Sequence, residues 1–79
     1  MLGASASEVT IDGSRFRVFR QPGGGAAEAH RVSFEVLPSL VVTLERGYRA
    51  IELATGCRVA AGSLRGDQAI VLAEVDCGP

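Results

Sequence analysis

A small α+β domain, one helix packed on one face of a four- or five-stranded antiparallel sheet, is the fold this sequence predicts. Three observations predict it. The stretch Pro38–Cys57 carries apolar residues at a helical period between its own start and stop signals. The segments on either side alternate at period two, and one pair is joined by Asp12-Gly13. The chain has 79 residues, 47% apolar and 22% charged, which is the composition of one ordinary globular domain. The expected order is β-β-β-α-β-β. An all-β small barrel or sandwich is the alternative, because L-V-V-T-L-E and Y-R-A-I-E-L also alternate and could turn as a hairpin at Arg46-Gly47.

Residues 1–7 are small and polar and are expected to be disordered, leaving 8–79 as the domain. Glu8–Ile11 reads as a short strand, Asp12-Gly13 as a type I′ turn and Ser14–Arg20 as the returning strand. A two-residue turn sets Val9 opposite Phe16 and Ile11 opposite Ser14. Val9, Ile11, Phe16 and Val18 then share the buried face, and Arg15, Arg17 and Phe19 take the outer one. Gln21–Ala29 (Q-P-G-G-G-A-A-E-A) reads as a flexible connector, with the loop extending over 21–30, because adjacent glycines lose much backbone entropy on ordering. Arg31–Leu37 (R-V-S-F-E-V-L) alternates cleanly, which predicts a strand with Val32, Phe34 and Val36 inward and Ser33 and Glu35 outward.

In the helix, Ser39 is the expected N-cap after Pro38, and Gly56 the expected left-handed C-cap. On a helical wheel Leu37, Leu40, Val41, Tyr48, Ile51 and Thr55 fall within about 60° of Leu44, the predicted buried stripe. Gly47 on its edge costs roughly 1 kcal/mol relative to alanine unless close approach to the sheet requires it. Strands at Cys57–Ala61 and Gln68–Val75 follow, joined by a turn at Gly62–Asp67. In the last strand Ile70 and Leu72 take one side and Val71, Ala73 and Val75 the other, a two-faced apolar pattern that suits a central position or an interface.

Cys57 and Cys77 are the two cysteines of the chain. With one histidine they fall short of a four-ligand zinc site, and they lack the C-x-x-C spacing of a redox motif. A disulfide closing a loop of about 20 residues would stabilise by roughly 3 kcal/mol in the chain-entropy model. It would imply an oxidising compartment, periplasmic or secreted; two free thiols would imply a cytoplasmic protein. Met1-Leu2 leads into small residues without a basic and apolar leader pattern, and Leu2–Ser5 resembles a bacterial lipoprotein processing site with serine in place of the lipidated cysteine.

No catalytic, cofactor-binding or metal-ligating set is expected. His30 sits beside the glycine-rich stretch, where a solvated loop residue is the expectation. The carboxylates are scattered without an acid–base pair. The glycines lack the Lys-Ser/Thr of a phosphate loop, and Arg65-Gly66-Asp67 reads as turn chemistry rather than an adhesion tripeptide. A net charge of −1 argues against nucleic acid as a partner, although Arg15, Arg17, Arg20 and Arg31 could gather on the sheet's outer side. No apolar run reaches membrane-spanning length. What remains is surface: Val42 and Leu53 point to the back of the helix and Phe19 to the outer face of the sheet, an expected interaction surface for a protein partner or for self-association. The function expected is a non-enzymatic structural or protein-binding domain, exported in a bacterium. The alternative is a small cytoplasmic accessory or phage-like assembly protein with free thiols.

Overall fold

A computed structural model describes residues 6–78. One helix covers one face of a curled, six-stranded antiparallel sheet. The strands are β1 (Ala6–Ile11), β2 (Ser14–Arg20), β3 (Ala26–Arg31), β4 (Arg58–Val59), β5 (Arg65–Gly66) and β6 (Ile70–Asp76), and the helix α1 is Leu40–Thr55. The sheet order is β1-β2-β3-β6-β4, with β5 also paired to β6. The expected order β-β-β-α-β-β is observed with one addition, the two-residue β5 inside the stretch read as a turn, which makes six strands.

The first hairpin follows its turn chemistry. Asp12 and Gly13 both have positive φ (49° and 90°), as a I′ turn requires, and the register sets Val9 opposite Phe16 and Ile11 opposite Ser14. Phe16 and Val18 are buried, Val9 and Ile11 half-buried. Ala6 and Ser7 belong to β1 because β2 is long enough to pair with them, at Phe19 and Val18. The expectation of disorder fails for these two, and for residues 1–5 it lies outside the described residues.

The third strand is not where the alternation placed it. Ala26–Arg31 forms β3, inside the stretch read as a flexible loop, and the clean alternation at 32–37 is irregular. The physical reason lies in what each segment can pair with. Gln21–Gly25 closes a tight connection, so the next residues fall directly opposite β2, with Ala27 facing Arg20 and Arg31 facing Phe16. Ala27 and Ala29 then sit fully under the helix. Their small side chains admit it closely, and Glu28 and His30 take the outer face. His30 is accordingly a strand residue, not a loop residue.

Helix α1 begins and ends where its caps lie. The Ser39 hydroxyl accepts from Val42 N, and Gly56 (φ 71°) donates to Glu52 O. Its buried face differs from the one the wheel predicts. Thr43, Gly47, Ala50 and Ile51 are buried, a stripe centred about 75° round the helix from Leu44 at 3.6 residues per turn. The face carrying Gly47 and Ala50 lets the helix backbone come close to the sheet, with Ile51 buried beside them. A Cβ on Gly47 would lie 2.6 Å from Val71 Cγ2. Leu40, Val41 and Tyr48 are consequently left exposed.

Strand β6 is central, as its two-faced pattern suggests, with Val71, Ala73 and Val75 inward. Cys57 and Cys77 are joined in a disulfide with Cα atoms 4.4 Å apart. They continue the β4–β6 register, in which Arg58 opposes Asp76, by one further pair. The bridge ties the end of α1 to the last strand.

Candidate functional site

The segment between β3 and α1 presents its apolar side chains to water. Phe34 is 90% exposed, Leu37 92% and Val36 76%. The inversion has a local cause. Arg15 N donates to Ser33 Oγ (3.1 Å), Ser33 Oγ donates to Glu35 Oε2 (2.7 Å), and Arg31 donates to Ser33 O and to Gln68 O. Arg46 of the helix donates to the buried Ser14 hydroxyl beside them (3.0 Å). The polar residues of the alternation are thus the ones tied inward. At period two, that turns Phe34 and Val36 out.

This knot is electrostatically tuned. The Ser33 and Ser14 hydroxyls, helped by the Arg31 and Arg46 guanidiniums, hold the Glu35 carboxyl below the usual glutamate range. A carboxylate whose folded pKa is depressed contributes stability above its unfolded value, about 4.3, and loses it as pH falls through the folded one. In an NMR titration the Glu35 midpoint is expected below that value, and Ser33→Ala should raise it. An unchanged midpoint in Ser33→Ala would remove the hydroxyl from the account. Amide exchange at 32–37 is expected to quicken in the same acid window.

Along the helix that this loop leads into lies an open apolar cleft of about 640 Å³. Val41, Leu44 and Tyr48 form its helix wall, and Val59, Ala60, Ala61 and Leu64 the other, with Glu45 and Arg58 at the rims. The second wall is braced. Val59 N donates to Glu52 Oε2 of the helix (2.8 Å), Ala60 N to Glu74 O of β6 (2.8 Å), and Glu74 N to Ser63 Oγ (3.1 Å). The helix wall is one edge of the predicted stripe: Val41 and Tyr48, expected in the core, line the cleft with the half-buried Leu44, while Ile51 of the same stripe is fully buried as expected.

The other residues singled out in the sequence divide by face. Val42 and Leu53 are exposed on the back of α1. Phe19 is half-buried on the sheet's outer face, its ring 5.0 Å from that of His30. The helix covers the opposite face, so the three residues do not form one surface. His30 Nε2 is 2.9 Å from Glu28 Oε1, and with Phe19, Arg20 and Gln21 these residues line a shallow hollow of about 360 Å³. Three of the four arginines named from the sequence are engaged: Arg17 pairs with Glu8 (3.5 Å), Arg20 donates to Gly24 O (2.9 Å), and Arg31 is held by the knot, while Arg15 is exposed beside Arg17 on the same face of β2. Asp67 of Arg65-Gly66-Asp67 accepts from Ala69 N and Ile70 N (2.8 Å each), and these two bonds depress its pKa. Its carboxylate is occupied in its own turn.

Among the described residues no three His, Cys, Asp or Glu side chains come together as a metal site, and no helix is long and apolar enough to cross a membrane. The exposed loop residues Phe34, Val36 and Leu37 were missed in the sequence because alternation does not say which set faces in. The competing small-residue alternation at Ala27 and Ala29 was the available signal.

Fold and site together define a small disulfide-bridged α+β domain with an exposed apolar loop and an open apolar cleft. Compared with protein-family models, with curated proteins and with solved structures, the chain matches none of them.

Proposed function

We propose that this is a non-enzymatic protein-binding domain, exported in a bacterium to the periplasm or beyond, which docks through the Val32–Leu37 loop and the adjoining cleft. The observation that carries the reading is the inverted alternation: hydrogen bonds hold Ser33 and Glu35 inward and leave Phe34, Val36 and Leu37 in water. Contiguous exposed apolar surface beyond a few hundred Å² ordinarily marks an interaction site. Leu37 adds to the support. It is a non-glycine residue at φ 50°, a conformation that costs roughly 1–2 kcal/mol for an L-residue. Strain of that kind is retained where folding is not the only demand on a segment. The bridge favours export over the cytoplasmic reading, because disulfides persist in oxidising compartments.

The test separates binding from folding. Phe34→Ser with Leu37→Ser is expected to change unfolding free energy by no more than about 0.5 kcal/mol, as for surface substitutions outside the core. The same pair should abolish crosslinking from a photoreactive side chain at position 36 in the producing cell. A loss of several kcal/mol that persists at high dilution, where no second copy is bound, would make these residues core residues and end the proposal. Alkylation before and after reduction, read by intact mass on protein from that cell, checks export: both cysteines should resist until reduced.

A further inference from the structure

The loop runs directly into the helix that walls the cleft, one a projection and the other a hollow. Val36 and Leu37 lead directly into Leu40 and Val41, and Val41 is already cleft wall. A two-fold axis passing between a projection and an adjacent hollow brings each onto its counterpart in a second copy, which is the condition for a closed, isologous dimer. We propose that the occupant of the cleft is a second copy of this chain, with Phe34 and Leu37 of each protomer seated reciprocally in the cleft of the other. The inference rests on the docking reading above and names its partner.

Size and charge both fit. From their fractional exposures, Phe34, Val36, Leu37, Leu40, Val41 and Tyr48 together leave on the order of 700 Å² in water, near the roughly 800 Å² per partner of a standard interface. The cleft, at about 640 Å³, has room for a phenylalanine and a leucine side chain together. Its walls are apolar, with one carboxylate (Glu45) and one guanidinium (Arg58) at the rims. At a net charge of −1, two copies meet with little mutual repulsion. The hollow at Phe19 and His30 offers no such match, since Glu28, Arg20 and Gln21 line much of it and nothing projects beside it.

Sedimentation equilibrium from micromolar to millimolar protein, with the disulfide intact, tests the dimer. The wild-type chain is expected to dimerise. Phe34→Asp, which spoils the projection, and Ala61→Trp, which fills the hollow, should each weaken dimerisation by about 30-fold or more. Mixed in equal amounts the two variants should recover a heterodimer, because the sound projection of one meets the sound cleft of the other. Leu37→Asp and Ala61→Glu repeat the design, and unchanged far-ultraviolet circular dichroism admits each variant to the comparison. A wild-type chain that stays monomeric throughout, variants that dimerise like wild type, or a mixture that gains nothing would each overturn the dimer. Crosslinks from position 36 to a different protein, with the chain monomeric, would sink self-association and leave the docking reading standing. No crosslink of either kind would sink both.

Discussion

Replacing Cys57 and Cys77 together by alanine is expected to lower stability by about 3 kcal/mol, the chain-entropy value for a loop of this size. The sequence separation is 20, so the bridge removes a sizeable part of the unfolded chain's freedom. A domain of this length holds on the order of 5–10 kcal/mol in total, so the change takes roughly 30–60% of it. At 4–8 °C per kcal/mol the melting temperature should fall by roughly 12–24 °C. The bridge also holds the β4 edge, where only two residue pairs join it to β6. Amide exchange at Arg58–Val59 should therefore accelerate beyond the global effect. Calorimetry of the double variant decides the matter: a shift of only a few degrees would mean that the sheet and helix hold this edge unaided.

Gly47→Ala is expected to destabilise, against helix propensity. Propensity alone predicts a gain of about 1 kcal/mol. The added methyl would meet Val71 Cγ2 at 2.6 Å, Cβ at 2.8 Å and Cγ1 at 3.0 Å. Val71 is fully buried on the central strand β6, and all three of its side-chain carbons lie within this range, so rotation about χ1 gives no escape. Overpacking of this kind costs typically 1–3 kcal/mol, leaving a net loss of up to about 2 kcal/mol. Urea unfolding with an unchanged m-value should show it. The added Val71→Ala in a double variant should reveal a favourable coupling of at least about 0.5 kcal/mol. If Gly47→Ala instead stabilises, the helix can move outward and close approach is not what Gly47 is for.

Both results depend on one property of the core. Ala27, Ala29, Ala50 and Ala73 are buried with Gly47 between sheet and helix, and Phe16, Ile51 and Val71 supply the bulk. A close-set interface of small residues leaves larger apolar side chains without room. They are found at its margin, in the cleft wall and the loop.

Some of this was written locally. Ser39 and Gly56 cap α1, Asp12-Gly13 turns β1 into β2, and the two-residue turn sets the register that buries Phe16 and Val18. The two-sided apolar pattern at Ile70–Val75 matches a central strand. Each of these depends on residues within a few positions of one another, and local chemistry suffices. Two features were decided by tertiary structure alone. Period two runs through A-E-A-H (27–30) as it does through V-S-F-E-V, and only pairing with β2 and β6 selects the first as β3. The wheel likewise marks a broad apolar stripe on α1, while the approach of Gly47 to Val71 determines which edge of it is buried. Periodicity says that two faces differ. Which of them turns inward follows from partners distant in the chain, and the candidate site lies where those partners left apolar residues outside.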